Sequence, residues 1–592
     1  MSAPPPLSSW SPLSAVHAEL LDDLHAFVRA EQDAANRRLM EIWQQPLARK
    51  LAQGRTQGFV RIVAGPAPNT LWAHTDESES NFREGDILCL HQGDAQEPLA
   101  RELTFEYEDE RRWLLRGRQA LRAFTDYAGG VCYADPDAFD LMRYYRQTLD
   151  EIGDSPSGRE ILLPLLAGET PLEFDERDMN DAESIARAAG CNPRQAAAVA
   201  WAHGALQLAC IQGPPGTGKT RVLALIAHLA VARGERVLLT SHTHTAIDHA
   251  LNKIHEHGVP LVKIGRIAHA SGLNPAIARY ASFDAWEERP TDGRSGYVVG
   301  ATPFATCAPH FDRIEFDCVL FDEASQITAP LALMAMRKGK RFIFIGDSKQ
   351  LPPVLLACSV FDQQTHSIFT RLTAPQAEHC IMLDETYRMN RWLADWPSRT
   401  FYHGELRAAG ANRERRLRLS AIPPRYAAVF DPEAALVFVP TLDRQARNRN
   451  RRDAALVADL CAVAIDGGLT PQQIGIVAPY RAQGRAIRLA LEARLGRDAA
   501  RHIVADTVER MQGQERELIL VSLTTGDPSF LAAVAEFFFQ PERLNVSITR
   551  AMTKLILIGP EAPDPAEFQP ETLRLWLTQY RDLLAACRRV AF

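Results

Sequence analysis

At 592 residues, 46% hydrophobic and 23% charged, the chain has the composition of an ordinary soluble protein but is too long for one hydrophobic core, so single-domain folds are excluded. It holds no run of about 18 apolar residues able to span a bilayer, and membrane function is not expected. A net charge of −7 excludes a surface that coats nucleic acid along its whole extent; any polynucleotide track must be a local groove.

The first residues, Met1 to Ser9, are rich in Pro and Ser and lack the charged start and apolar stretch of a secretory signal, so a cytoplasmic location is expected. Ten cysteines are scattered without a C-x-x-C pair, which reads as reduced structural thiols rather than a zinc ribbon or iron–sulfur cluster. From Ser14 to Leu51, Val16, Leu20, Leu24, Val28, Leu39, Ile42, Trp43 and Leu47 recur mostly at helical spacing, with a kink or restart predicted at Pro46. Residues 1–54 are therefore an N-terminal stalk helix. Short alternating or apolar stretches follow at Gly58–Val63, Thr70–His74, Asp86–His91, Leu103–Tyr107 and Trp113–Arg116, predicting about five strands of a small barrel over 55–135. Helical character returns near Asp137–Asp150, in a second stalk and linker over 136–189; Gly153–Asp181 carries no pattern.

Beyond residue 190 near-continuous apolar strands alternate with helices: Leu206–Ile211, Arg236–Thr240, Tyr297–Val299, Asp317–Phe321 and Arg341–Ile345. A second series follows at Ala435–Val439, Ile474–Ala478, Leu518–Leu523 and Lys554–Ile558. Such strands imply parallel sheets covered on both faces, hence two α/β domains, 190–376 and 377–592. Basic clusters at Arg413–Arg418 and Arg444–Arg452 read first as solvated faces.

The run Gly213-Pro-Pro-Gly216-Thr217-Gly218-Lys219-Thr220 follows a predicted strand and opens a helix, the context of a Walker A loop. Its glycines turn backbone amides toward phosphates, Lys219 reaches the β and γ oxygens of ATP, and the Thr220 hydroxyl ligates Mg2+. About a hundred residues on, the apolar strand Cys318–Phe321 ends in Asp322 and Glu323. There Asp322 would hold Mg2+ and Glu323 would deprotonate the attacking water. Gln350, in Gly346-Asp-Ser-Lys-Gln-Leu-Pro-Pro353, is delivered by the next strand toward the γ-phosphate.

From this point the sequence resembles superfamily 1 helicases over about residues 190 to 560. It looks closest to the 5′→3′ branch, which includes the nonsense-mediated-decay RNA helicase and the helicase half of the eukaryotic flap-processing replication nuclease-helicase. The resemblance lies in Leu239–Asp248, Asp322–Thr328, Tyr387–Asn390, Ala478–Arg481 and Arg543–Arg550, in that order. It implies that Asn192 and Gln195 read adenine, with Gln195 offering both amide groups to the base edge, and that Tyr387 stacks on adenine. Arg388 and Arg550 would reach the γ-phosphate as arginine fingers. Within Asp506–Glu515, the family places Thr507 by the nucleic-acid backbone, Gly513 at a tight turn and Glu515 near the ribose. Ser241, Thr243, Thr302, Tyr480 and Thr507 are the candidate strand contacts, hydroxyls gripping phosphate and Tyr480 stacking on a base. Two positions depart from the family's pattern: Thr386 stands where Gln is common, and Met552 where Lys is usual. Neither a nuclease carboxylate-lysine pattern nor four cluster cysteines is readable.

The implied fold is α/β: two tandem RecA-like P-loop domains, preceded by an N-terminal helix and a small β-barrel insert on helical stalks. The implied activity is ATP-dependent 5′→3′ translocation on single-stranded nucleic acid, DNA favoured over RNA, with ATP and Mg2+ as cofactors and a monomer compatible with the pattern. Two rivals remain at this level, an ATP-controlled clamp and an RNA helicase without processive DNA unwinding. The sequence names no protein partner.

Overall fold

The computed structural model describes residues 12–592 apart from 77–79, 81, 83–84, 110, 128, 266–271, 291–293, 360–361, 374–379 and 442. The reading of Met1–Ser9 and the predicted domain boundary at 376/377 lie outside the described residues.

The N-terminal helix Ala15–Trp43 buries Leu20, Leu21, Leu24 and Val28, one stripe at helical spacing, and Ser14 caps it by accepting from the His17 amide at 3.1 Å. It stops short of Pro46 and restarts as Leu47–Ala52, as a residue without an amide proton dictates. The chain then forms β1 (Gln57–Ala64), β2 (Thr70–Thr75), β3 (Ile87–His91), β4 (Ala100–Asp109), β5 (Arg112–Arg116) and β6 (Cys132–Pro136), a closed antiparallel barrel in the order β1-β2-β5-β4-β3-β6. Five of these strands were predicted. The sixth, Cys-Tyr-Ala-Asp-Pro, is too short and too polar to show alternation, yet it pairs with both β1 and β3 and so removes the open edges. Phe59, Leu71, Leu88, Leu103 and Leu115 fill the interior.

Barrel and stalk are joined by a buried polar knot. Lys50 from the stalk pairs with Asp135 of β6, which also accepts from the Thr56 hydroxyl and lies 3.4 Å from His91 Nε2; all four side chains are sealed from solvent. Burial alone would raise the Asp135 carboxyl, but His91, Lys50 and Thr56 outweigh it and hold it below the usual range. Trp43 Nε1 donates to the Pro136 carbonyl at 2.8 Å beside the knot. The second stalk helix is Met142–Asp154, and the patternless stretch after it contains a π-turn, Gly158–Leu162, and the helices Leu163–Ala167 and Glu176–Ala188.

The first α/β domain contains β7 (Leu208–Gln212), β8 (Arg236–Thr240), β9 (Leu261–Ile264), β10 (Arg279–Tyr280), β11 (Tyr297–Gly300), β12 (Phe316–Phe321), β13 (Gly339–Gly346) and β14 (Cys380–Met382). They form one parallel sheet, β10-β9-β11-β8-β12-β13-β7-β14. Because β14 pairs with β7, this sheet extends past the predicted boundary. Separate apolar layers cover its two faces, one holding Val319, Phe321 and Phe344, the other Val222, Leu239 and Ile343. After a small pair, β15 (Glu385–Thr386) and β16 (Arg407–Ala408), the second domain follows. It is a parallel sheet of β17 (Leu436–Pro440), β18 (Ile474–Val477), β19 (Val504–Asp506), β20 (Arg516–Ser522), β21 (Ala551–Gly559) and β22 (Arg588–Arg589), ordered β19-β18-β20-β21-β17-β22. Among the described residues no helix is long and apolar enough to cross a membrane. In parallel sheets the strands' carboxyl ends gather loops on one edge, and the P-loop, Asp322, Glu323 and Gln350 follow the carboxyl ends of β7, β12 and β13, whereas Glu515 and Arg550 immediately precede β20 and β21.

Candidate nucleotide-binding cleft

The P-loop leaves β7 and enters the helix Lys219–Ala232. Gly213 N donates to the Gly346 carbonyl at 2.8 Å, tying the loop to the end of β13, and Thr217 Oγ1 donates to the Pro214 carbonyl at 2.8 Å. Lys219 Nζ donates to the Gly213 carbonyl at 2.7 Å, so the ammonium lies inside the loop it is meant to serve. Gly216 has φ +74°, and a Cβ there would stand 2.5 Å from the Arg388 Cβ and 2.6 Å from Thr386 Oγ1. Only glycine lets the second domain come this close.

That approach is a direct interdomain contact: Tyr387 N donates to the Gly216 carbonyl at 2.9 Å. Beside it, Asn192 Nδ2 donates to the Tyr387 hydroxyl at 2.9 Å and to Glu385 Oε2 at 3.0 Å. The Asn192 side chain also caps the helix Pro193–Gly204 in a reciprocal box with Gln195. Here the expectation for Gln195 needs correcting. Its oxygen accepts from Asn192 N at 3.1 Å, its nitrogen donates to the Thr217 carbonyl at 2.9 Å, and it is buried. The nitrogen braces the P-loop and the oxygen closes the helix cap, so both amide groups are engaged within the domain rather than turned to a base edge.

Asp322 and Glu323 leave β12 next to β8, with Asp322 N donating to the Thr240 carbonyl at 3.0 Å. Burial, with the neighbouring Glu323 charge, pushes the Asp322 carboxyl up to about 7, against the pull of Lys219. Glu323 sits at φ +51°, a left-handed conformation that costs a non-glycine residue about 1 kcal/mol and projects its carboxylate from the strand end. Across the cleft Gln512 Nε2 donates to Glu323 Oε2 at 3.3 Å.

Gln350 and Arg550 meet: Arg550 Nη2 donates to Gln350 Oε1 at 3.3 Å, while Arg550 Nε holds the Val546 carbonyl at 2.9 Å. The guanidinium is buried, and burial and the charge of Arg388 pull its acidity toward neutrality, although it stays charged at neutral pH. Arg388 pairs with Glu515, Nε to Oε2 at 2.7 Å, and donates to the Thr549 carbonyl at 3.2 Å. Glu515, expected near a ribose, is instead the ion-pair partner of Arg388. Gly513 occupies the predicted tight turn with φ +76°. Thr386 abuts Gly216 through its side chain, while Met552 contributes its main-chain carbonyl, which accepts from Asn390 N at 3.1 Å as any residue there would.

Sequence reasoning missed the hub beneath this cluster. Asp347, fully buried, accepts from Gln350 Nε2 at 2.6 Å, from Gln212 Nε2 at 2.5 Å and, from the other domain, from the Tyr402 hydroxyl at 2.8 Å. Asn545 Nδ2 donates both to the Tyr402 hydroxyl at 2.8 Å and to the Lys349 carbonyl at 2.7 Å. Two further hydrogen bonds therefore cross the cleft. Asn545 and Gln512 lie inside quoted motifs and could have been nominated; Tyr402, in an unremarkable stretch, could not.

The strand candidates occupy one edge: Ser241 follows β8, Thr302 follows β11, Tyr480 follows β18 and Thr507 follows β19. Ser241 is 1% exposed, so its hydroxyl does not reach the surface as predicted. The Thr243 and Thr302 hydroxyls accept from the amides of Ala246 and Ala305, at 3.2 and 3.3 Å. Thr507 stands at the N-cap position of the short helix Val508–Met511 without a side-chain capping bond. Tyr480 packs against Phe537 and Phe530, ring centroids 5.9 and 6.4 Å away, so stacking on a base would compete with its own domain.

Two family models described as AAA domain match, over residues 190–400 and 364–562. The DNA replication ATP-dependent helicase/nuclease of Homo sapiens is 30% identical over 381 residues, covering 59% of this chain and 35% of the relative. That of Saccharomyces cerevisiae is 28% identical over 436 residues, 68% of this chain and 28% of the relative. The chain thus spans about a third of the length of these relatives. Among solved structures, an arterivirus nonstructural protein 10 (helicase) aligns over 87% of this chain and 80% of that one, at 12% identity and a TM-score of 0.37. Both halves of the cleft are thus matched by AAA-domain models, and the chain is similar in sequence to the helicase part of ATP-dependent replication helicase/nucleases.

Proposed function

We propose that the chain is a motor that hydrolyses ATP to move 5′→3′ along single-stranded DNA. The observation that carries this reading is the meeting of Arg550 with Gln350 at 3.3 Å, while Tyr387 N holds the Gly216 carbonyl. Groups from both domains converge on one phosphate site, so opening or closing the cleft and loss of the γ-phosphate are the same physical event. Lys219, Arg388 and Arg550 supply positive charge against developing negative charge, and Glu323 accepts the proton of the attacking water.

Mg2+ fits the residues present. A buried carboxylate destabilised by its Glu323 neighbour is one a divalent cation would satisfy, and Asp322 with the Thr220 hydroxyl would hold it. The ion would neutralise phosphate charge. The preference for DNA follows the replication enzymes to which the chain is similar, and the 5′→3′ polarity follows the family branch.

The test is ATP turnover with and without single-stranded oligonucleotides, DNA and RNA in parallel, together with displacement of streptavidin from either end of a biotinylated strand. Strand-stimulated turnover, greater with DNA, and release from the 3′ end are expected. Glu323→Gln should lose about 10²–10⁴-fold in turnover while still binding ATP. Stimulation persisting in that variant would remove Glu323 as the base, and turnover without release from either end would favour a clamp.

A further inference from the structure

The arginines at 444–452 form a local concentration of charge that the cleft does not use. Five of nine residues are arginine, Arg444, Arg447, Arg449, Arg451 and Arg452, all exposed, in a chain of net charge −7. Only Arg447 is paired, with Asp527 at 3.0 Å. The side chains of Arg444, Arg449, Arg451 and Arg452 have no hydrogen-bond or ion-pair partner among the described residues. The basic run Arg413–Arg418 behaves otherwise: Arg413, Arg415 and Arg416 are paired with Glu414, Glu517 and Glu433. Of the two acids flanking the loop, Asp453 is buried and pushed up to about 7 by that burial, and Asp443 accepts from the Gln445 amide at 3.1 Å.

The loop is also fixed in place. It leaves the carboxyl end of β17 and is bonded to the segment leaving β20, with Gly526 N and Asp527 N donating to the Ala446 carbonyl at 2.8 and 3.0 Å. Thr525 Oγ1 donates to the Arg447 carbonyl at 2.8 Å and lies 3.5 Å from the Tyr480 hydroxyl. A Cβ on Gly526 would stand 1.9 Å from the Asp443 carbonyl oxygen, so the close approach depends on glycine. Asn450 N donates to Gln483 Oε1 at 2.8 Å, which brings Arg449 and Arg451 against the first turns of the helix Arg481–Leu495. Five guanidiniums are thereby held beside the Tyr480 edge, four of them without a paired acid among the described residues.

We propose that the 444–452 loop is a phosphate-binding site for single-stranded nucleic acid, extending the grip of the second domain beyond Tyr480 and Thr507. The proposal rests on the strand-binding reading above and adds to it which residues supply the sequence-independent part of the affinity. Guanidiniums on a pinned loop grip phosphates without reading bases, and each contact releases counter-ions.

The experiment is the salt dependence of affinity for a fluorescent oligo-dT, measured by anisotropy for the wild type and for Arg444→Gln/Arg449→Gln/Arg452→Gln. The log–log slope should become shallower by about 2, roughly 0.7 for each lost phosphate contact. The corresponding triple Lys variant, which keeps the charge, should hold most of the wild-type slope. Should the triple Gln variant fail to fold, Arg452→Gln alone, at an exposed first-turn position, should reduce the slope by about 0.7. An unchanged slope in a folded Gln variant overturns the proposal and leaves the motor reading standing. Absence of salt-dependent binding by the wild type would overturn the motor reading itself.

Discussion

Replacing Tyr402 by Phe removes one oxygen from the interdomain hub and nothing else, since the ring remains packed with Phe401 and Met389. The lost hydroxyl donates to Asp347, a fully buried carboxylate that burial makes costly to keep charged. A hydrogen bond to a buried charged group is worth about 1.5–3 kcal/mol. Asn545 keeps its second acceptor, the Lys349 carbonyl, so the penalty stays near the middle of that range. About 2 kcal/mol against the closed cleft corresponds to a roughly 30-fold fall in the closed-to-open ratio. If catalysis requires closure, strand-stimulated kcat/KM for ATP should fall by about the same factor. The assay is steady-state ATPase at saturating oligonucleotide, with far-ultraviolet dichroism to confirm the fold. A folded Tyr402→Phe enzyme within about twofold of wild type would show that the hub does not support catalytic closure.

Gln512→Ala should lower the ratio of strand-stimulated to basal turnover toward one without changing the ATP KM, because Gln512 links the Thr507 segment to Glu323; an unaltered ratio would make that contact incidental. Asp453 is ionised throughout pH 6–8 in the unfolded chain but titrates near 7 in the folded one, raised by burial and opposed by Thr441. The folded state therefore binds more protons at this site, and its contribution to stability should fall by about 1.4 kcal/mol between pH 6 and 8, read in denaturant titrations as the difference in pH slope between wild type and Asp453→Asn. Lys50→Met should destabilise the barrel by roughly 3–5 kcal/mol by stranding the buried Asp135 charge, read as faster hydrogen exchange in β6 with the cleft domains unchanged. Undiminished protection of β6 would place the knot outside the stability of the barrel.

The parallel strands and the phosphate machinery were legible because each is written locally. The apolar run Cys318–Phe321 followed by two acids, and glycines before Lys219, need no partner to be recognised. Strands β10, β14, β19 and β22 were not legible, since each is three residues or fewer and is held by neighbours well separated in sequence, and β6 and β9 were missed as well. The side-chain roles diverged furthest where the two domains touch. Gln195, Glu515 and Tyr480 carry the expected residue types, yet their polar or aromatic groups are engaged by Thr217, Arg388 and Phe537. Motif spacing specifies which residues reach the cleft; which partner satisfies them depends on segments distant in the chain, 22, 127 and 57 residues away for Gln195, Glu515 and Tyr480, and that choice is a tertiary one. Tyr402 makes the same point from the opposite side, being a hub residue with no motif around it.

The central claim is that the state of the terminal phosphate sets how tightly the strand is held. It is tested most directly by measuring the affinity for one single-stranded oligonucleotide with ADP and with a non-hydrolysable ATP analogue, in wild type and in Arg550→Ala. A difference of about tenfold or more between the nucleotide states, collapsing in the variant, is expected from a coupling of roughly 1.4 kcal/mol. Equal affinities in the two nucleotide states of the wild type would contradict the account.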